Sequence, residues 1–460
     1  MAQAGYSINS TADDQYSDTT PLLEKEVEIN PVPPKCCSVR CNLAAMMFFG
    51  FAVVYGLRVP NYAWTSETQG WVLSAFFFGY LFTQIPGGYL SGHFGGKIFL
   101  GGGVLGTAAL TLLTPLSAQF GAKWLFALRA LEGFGEGVTF PAMMAMWSRW
   151  APPLERARLM TFSGAGSSFG AFVALPLTGF ICQRFGWPAV FYSCGAVGCL
   201  WALFWFLLVS DEPRAHPRIS DQEKDYIINS VGAQGTAHGW SVPVQSMAVS
   251  LPLWAIIISQ MCSNWSYYTL LTSLPIYMET ILHFNLQQNS MLSALPYLGG
   301  WVSAVGSGVL ADNLLERELL SVTAVRKIFT FIGLFLPALF LVAVGFSGCS
   351  GTLAVTLLTM SSTLGGVSAA GVFINQIDIA PRYAGMLLGI TNTFGTIPGV
   401  LAPIVVGYLT KDQSVAGWRH VFWLSGAVSA FGAIVFVIFG TGKIQSWAGI
   451  DEESETHIHS

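Results

Sequence analysis

KWLFALRALEGFGEGVTFPAMMAMW, residues Lys123 to Trp147, is an apolar stretch long enough to cross a bilayer, yet its interior holds Arg129, Glu132 and Glu136. At about 100° per residue, Glu132 lies about 300° and Glu136 about 340° round from Arg129, so the three share an arc of about 60°. They form one polar stripe. An ionisable side chain at mid-membrane costs from about 2.5 kcal/mol to far more, so such residues face a bundle interior and mark an ion or substrate path. The stripe points to a membrane-embedded path for a small solute.

Composition agrees. Hydrophobic residues make up 53% of the 460 positions and charged residues 10%, with a mean hydropathy of +0.55. A soluble domain carries about 25% charge, so this is a polytopic membrane protein. The net charge of -4 is spread over loops and tails and offers no basic field for nucleic acid. Of the eight cysteines, Cys36, Cys37 and Cys41 sit in the amino-terminal tail and most others inside apolar spans, without His or Cys at metal spacing. No metal site, essential disulfide or cofactor is expected. Without a nucleophile and base at usable spacing or a phosphate-cradling loop, the sequence does not read as an enzyme.

Outward from the stripe, apolar runs fall at roughly 42–59, 70–91, 98–120, 123–147, 158–182, 187–209, 251–281, 290–310, 328–347, 352–376, 383–410 and 418–440. These predict twelve transmembrane helices in an all-α membrane protein. The expected organisation is a tail over 1–41, a six-helix bundle over 42–209, a central loop over 210–250, a second six-helix bundle over 251–440 and a tail over 441–460. Within the central loop, Ser220 to Glu223 has capping-box spacing, which predicts a short surface helix from Asp221 to Val231. With both termini in the cytosol, fifteen Lys and Arg residues are cytosolic, including Lys97, Arg149, Arg156, Arg158, Arg326 and Lys327, against Lys123, Arg184, Lys411 and Arg419 on the far side. Arg40 is expected as an anchor at the membrane surface. The first 35 residues are polar and lack the apolar core of a signal peptide. They contain Asp18 followed by Leu22 and Leu23, the spacing of an acidic dileucine signal read by sorting adaptor proteins.

The two halves repeat each other. GWPAVFYSCGAV (Gly186 to Val197) pairs with GWRHVFWLSGAV (Gly417 to Val428) at an offset of 231, and Gly79 and Gly88 pair with Gly299 and Gly308 at an offset of 220. Parallel six-helix repeats resemble the major facilitator architecture, in which cargo sits near the midplane between rocking halves. GVLAD (Gly308 to Asp312) resembles that superfamily's cytosolic loop signature; its amino-terminal copy has Gly92 where the usual acid stands. LRALEGFGEGVTFPA (Leu128 to Ala142), followed by MWSRWAPPLER (Met146 to Arg156), resembles the organic anion and phosphate transporters within the superfamily. TPLL (Thr20 to Leu23), LRV (Leu57 to Val59), ETQGW (Glu67 to Trp71), QIPGG (Gln84 to Gly88), DIAP (Asp378 to Pro381) and GITNTF (Gly389 to Phe394) extend the likeness to nearly the whole chain.

The resemblance implies proton-coupled export of sialic acid and related acidic sugars from lysosomes, with acidic amino acid loading of vesicles as a second capability. It implies a multi-pass lysosomal membrane protein, with synaptic vesicle or plasma membrane as further locations, whose partners are the proton, a small organic anion, the lipid bilayer and sorting adaptors. Glu132 stands where the family's glutamate carriers have Gln, and Ser263 where they have Arg, which favours the sialic acid branch.

Physical roles follow from residue type. Desolvation favours a neutral carboxyl and a nearby arginine favours its anion, so Glu132 and Glu136 are the expected proton-coupling residues. An arginine grips a carboxylate with two parallel hydrogen bonds, which makes Arg58 the expected substrate anchor. Arg129 balances Glu132 three residues away, and the duller alternative is that the two form a structural ion pair. Phe76, Phe77 and Tyr80 resemble pocket residues of the family, with core packing as their alternative. Asn264, Tyr267 and Tyr268 are expected to hydrogen-bond cargo. Asp312, Arg156 and Arg158 are expected as cytosolic gate contacts.

Two departures stand against this. After Arg58 and Val59 the family continues its first helix and adds a long luminal loop, whereas here Pro60 to Trp64 leads straight toward the second helix. A transport-defective isoform, regulatory or non-productive, is therefore the alternative reading. Met144 stands where relatives carry His.

Overall fold

The computed structural model describes residues 39–56, 66–231, 242–283, 286–348, 350–411 and 414–448. Asp18, Leu22, Leu23 and Arg58 lie outside the described residues. The first half contains α1 (Val39–Gly56), α2 (Ser66–Phe94), α3 (Gly96–Phe120), α4 (Ala122–Glu136), α5 (Thr139–Trp150), α6 (Arg156–Phe185) and α7 (Trp187–Leu208). The connection carries α8 (Asp221–Val231) and the short α9 (Val244–Ala248). The second half contains α10 (Leu251–Thr280), α11 (Leu286–Glu316), α12 (Val322–Val344), α13 (Gly351–Gly365), α14 (Asn375–Ile379), α15 (Ala384–Leu409) and α16 (Val415–Phe439). Among the described residues, eight spans are long and apolar enough to cross a membrane.

Two expected single spans are divided. The fourth apolar run is α4 plus α5, because Pro141 has no N–H to offer the Gly137 carbonyl and its ring crowds that oxygen. The tenth ends as a helix at Gly365, tightens into a single 3₁₀ segment over Gly366–Ala370 and resumes as α14. Elsewhere helices outlast their apolar runs: α2 extends to Phe94 and α11 to Glu316, since backbone hydrogen bonding continues past the point where lipid demands apolar side chains.

Within the first half α1 packs along α6, α2 along α4, and α3 along α7 and α4; within the second, α10 packs along α15 and α16, and α12 along α13 and α16. The halves meet where α6 lies on α11 and α2 lies on α15. Small residues set these distances. A Cβ on Gly133 of α4 would strike the Phe76 carbonyl of α2, and one on Gly88 of α2 would strike the Gly385 carbonyl of α15.

One end of the bundle gathers the start of α1, the central connection and the end of α16. There α8 has the predicted bounds, and the Glu223 N–H donates to Ser220 Oγ at 3.2 Å. The rest of the capping box is rerouted: the Glu223 carboxylate accepts from the Val39 N–H at 3.1 Å and the Arg40 N–H at 3.3 Å, the open first turn of α1. Arg40 is not a membrane-surface anchor. It is 3% exposed, 2.7 Å from Glu155 and 3.6 Å from Glu223, and its guanidinium lies 5.1 Å from the Tyr226 ring centroid. Burial pushes the Tyr226 phenol above its usual pKa, with the Glu155 carboxylate adding to the effect.

Candidate functional site: a cavity between the two halves

A cavity of about 300 Å³ lies between the halves, with walls from α2, α5, α6, α10, α11, α12, α13, α15 and α16. Among the described residues its polar lining is neutral and includes Tyr80, Gln260, Ser263, Asn264, Tyr267, Tyr268 and Asn392. This is the low end of the volume range of small-molecule sites, about 300 to 1,000 Å³. The Asn264 amide donates to the Gly395 carbonyl at 2.9 Å, which fixes its orientation on α10 against α15. Tyr267 and Tyr268 stand edge to face with ring centroids 5.6 Å apart, and Tyr268 meets Phe77 of the other half at 5.6 Å. Phe76 stacks on Tyr80 at 5.7 Å. Of the expected binding residues, Tyr80, Asn264, Tyr267 and Tyr268 line the cavity, whereas Phe76 and Phe77 are not among its lining residues and touch it through Tyr80 and Tyr268.

The carboxylates of α4 lie elsewhere. Glu132 is 1% exposed and faces α3: its carboxylate accepts from Arg129 Nη1 at 2.9 Å, Thr114 Oγ1 at 3.2 Å and Thr111 Oγ1 at 3.3 Å. Arg129 is 5% exposed, with its guanidinium 5.7 Å from the Phe191 ring centroid. Glu136 is 1% exposed at the last turn of α4, where its carbonyl accepts from Thr139 Oγ1 at 2.7 Å. Neither glutamate is among the described residues lining the cavity. The shared arc is real, but the part of it held by Arg129 and Glu132 is turned into the first bundle and not onto the cavity.

The end that holds α8 is shut by contacts across the halves. Asp312 of α11 accepts from the Ala157 N–H at 3.0 Å and the Arg158 N–H at 2.6 Å, capping the first turn of α6. Arg156 lies 3.7 Å from Asp378, which Arg326 also holds at 2.6 and 3.4 Å. The Arg158 side chain pairs instead with Glu155 of its own half. At the repeat offset of 220, Asp312 falls on Gly92, so the matching contact between α2 and α15 has no carboxylate. There the helices touch through Gly88 and Gly385, and Asp211 serves a different end by accepting the Lys97 N–H at 2.7 Å.

Sequence reasoning did not single out Gln260 and Asn392. Uncharged amides within apolar spans were the available signal, since each needs a partner once in lipid. Met144 lines the cavity and brings no titratable group there. Among the described residues no cluster of His, Cys, Asp or Glu could hold a metal.

Two helical halves around a cavity lined by both, closed at one end by contacts between them, define a secondary transporter of the alternating-access kind. The Major Facilitator Superfamily profile matches residues 38–403, and the chain belongs to that superfamily. It is 48% identical to human sialin, with 96% of this chain and 97% of sialin covered, and 48% identical to sheep sialin over the same shares. It is 38% identical to bovine vesicular glutamate transporter 2, covering 91% of this chain and 73% of that one. Among solved structures, a proton:xylose symporter superposes with a TM-score of 0.67 at 14% identity, covering 88% of this chain and 96% of that one. The E. coli fucose:proton symporter does so at 0.61 and 17%, covering 86% and 98%. The protein is a multi-pass membrane transporter.

Proposed function

We propose that this transporter couples proton efflux from lysosomes to export of sialic acid and related acidic sugars, with acidic amino acids as a further substrate class. The observation that carries the reading is the cavity: it is of monosaccharide scale, its polar lining suits hydroxyl and amide groups, and Ser263 opens onto it at the position that distinguishes the sialic acid branch. The likeness to sialin supports the cargo, and the likeness to a vesicular glutamate transporter supports the amino acids. With both termini cytosolic and the bundles spanning 42–209 and 251–440, the closed end faces the cytosol and the conformation is the one that receives luminal cargo. Arg58 anchors the carboxylate, Asp312 and Arg156 form the gate, and the tail signal at Asp18, Leu22 and Leu23 recruits adaptors.

Proton coupling falls to Glu132 and Glu136. For Glu132 the proton has to displace Arg129, because the ion pair and two threonine hydroxyls already hold the carboxylate. Competition against labelled sialic acid in proteoliposomes tests the cargo: glucuronate and unlabelled sialic acid should compete, and failure of both would contradict the assignment.

The transport-defective alternative rests on α1. The apolar run over 42–59 is at the lower edge of the length that crosses a hydrocarbon core of about 30 Å, and Pro60 follows it directly. The alignment with human sialin runs over 484 positions, longer than the chain itself, so residues of sialin are missing here. Against it, described residues of α2, α5, α6, α10, α11, α12, α13, α15 and α16 line a cavity between the halves.

A further inference from the structure

The floor of the cavity is tied by neutral groups. Asn392 of α15 donates through Nδ2 to Gln84 Oε1 at 2.9 Å and to the Tyr80 hydroxyl at 3.3 Å, both on α2, while its Oδ1 accepts from Gln260 of α10 at 3.2 Å. One amide therefore joins the two halves at the contact that has Gly92 where its counterpart has Asp312. Tyr80, Gln260 and Asn392 line the cavity, whereas Gln84 is fully buried and does not. The cluster is incompletely satisfied: the Gln84 Nε2 makes no hydrogen bond among the described residues. An amide oxygen takes two donors and that of Asn392 has one among the described residues, so a cargo hydroxyl or amide N–H has a place to bind there.

We propose that Asn392 has two tasks: it latches α2 to α15 beneath the cavity, and it offers the cargo's neutral donor groups the bond that weakens that latch. The cargo task rests on the proposed function, the latch task on geometry alone. A cargo donor on the second lone pair of Oδ1 draws the amide toward the cavity, weakens the bonds of its Nδ2 to Gln84 and Tyr80 of α2, and frees the floor to open toward the cytosol. Cargo occupancy and floor opening are thereby linked through one side chain.

The test is a cysteine probe at Gly365, which lines the cavity and where an added Cβ meets nothing within 4 Å. The full chain carrying Gly365→Cys, in proteoliposomes, is treated with a membrane-impermeant maleimide from the cytosolic side, and modification at residue 365 is read by mass spectrometry. Gln84→Leu removes one neutral hydrogen bond of the latch and should speed labelling about threefold, whereas Asn392→Leu removes both that cross to α2 and should speed it about tenfold. The double variant should gain little beyond Asn392→Leu alone, because that change already removes the bond to Gln84. Sialic acid should alter labelling in the Gln84→Leu chain but not in the Asn392→Leu chain. Unchanged labelling in Gln84→Leu, or full additivity, overturns the latch; should Asn392→Leu not fold, Gln84→Leu alone decides this. The expected latch behaviour with no effect of sialic acid on any chain overturns the cargo task together with the function on which it rests.

Discussion

Replacing Arg129 by Met should destabilise the first bundle by about 3–5 kcal/mol, the usual consequence of leaving a buried charge without its partner. The magnitude follows from what remains. Glu132, 1% exposed, would keep two threonine hydroxyls at 3.2 and 3.3 Å, neutral bonds contributing about 0.5–1.5 kcal/mol each, and lose the guanidinium at 2.9 Å. Replacing both partners, as Arg129→Met with Glu132→Gln, removes the charge along with its counterion and should recover most of the loss. The assay is thermal and denaturant unfolding of the purified protein in detergent, following the four variants of a double-mutant cycle. The expected order is wild type and double variant close together, with Arg129→Met well below. If Arg129→Met unfolds with wild type, the pair is not holding the bundle, and the account of Glu132 as locked against α3 is wrong.

Three further outcomes follow from the gate and its surroundings. Asp312→Asn offers one acceptor oxygen where the carboxylate offers two, so one first-turn N–H of α6 loses its partner; cytosolic labelling of a cavity cysteine should rise about tenfold, consistent with a loss of about 1–3 kcal/mol. Gly88→Ala drives a Cβ into the Gly385 carbonyl, which cannot move without parting α2 from α15. Overpacking of this kind costs about 1–3 kcal/mol, and it should lower turnover in a flux assay while cargo affinity holds. Glu223→Gln weakens the hold of α8 on Arg40 and the first turn of α1, and limited proteolysis of the 209–250 connection should proceed several times faster.

Much of the fold was legible because lipid allows few solutions: run lengths, basic loops and the repeat offsets locate the helices and relate the halves. The breaks at Gly137 and Gly365 were less legible, since hydropathy stays high across them and the cause is local backbone chemistry. The site divides in the same way. Spacing shows that Arg129, Glu132 and Glu136 share a helix face, but a helical wheel does not say which neighbour that face meets; Thr111 and Thr114 of α3 decide it. Arg40 misled for a related reason. A basic residue at the start of a span suits the membrane surface until two carboxylates distant in sequence, Glu155 and Glu223, are folded onto it. Asn392 falls within the GITNTF stretch, but neither it nor Gln260 carries a charge or a recognisable partner in sequence, so their pairing across helices emerges with the tertiary structure.

The most direct test is labelled sialic acid flux in proteoliposomes under an imposed pH gradient, comparing the native chain with Glu136→Gln. Proton-coupled transport predicts flux that follows the gradient, collapses with a protonophore and is lost in the variant. Flux indifferent to the gradient, with Glu136→Gln unaffected, would contradict it.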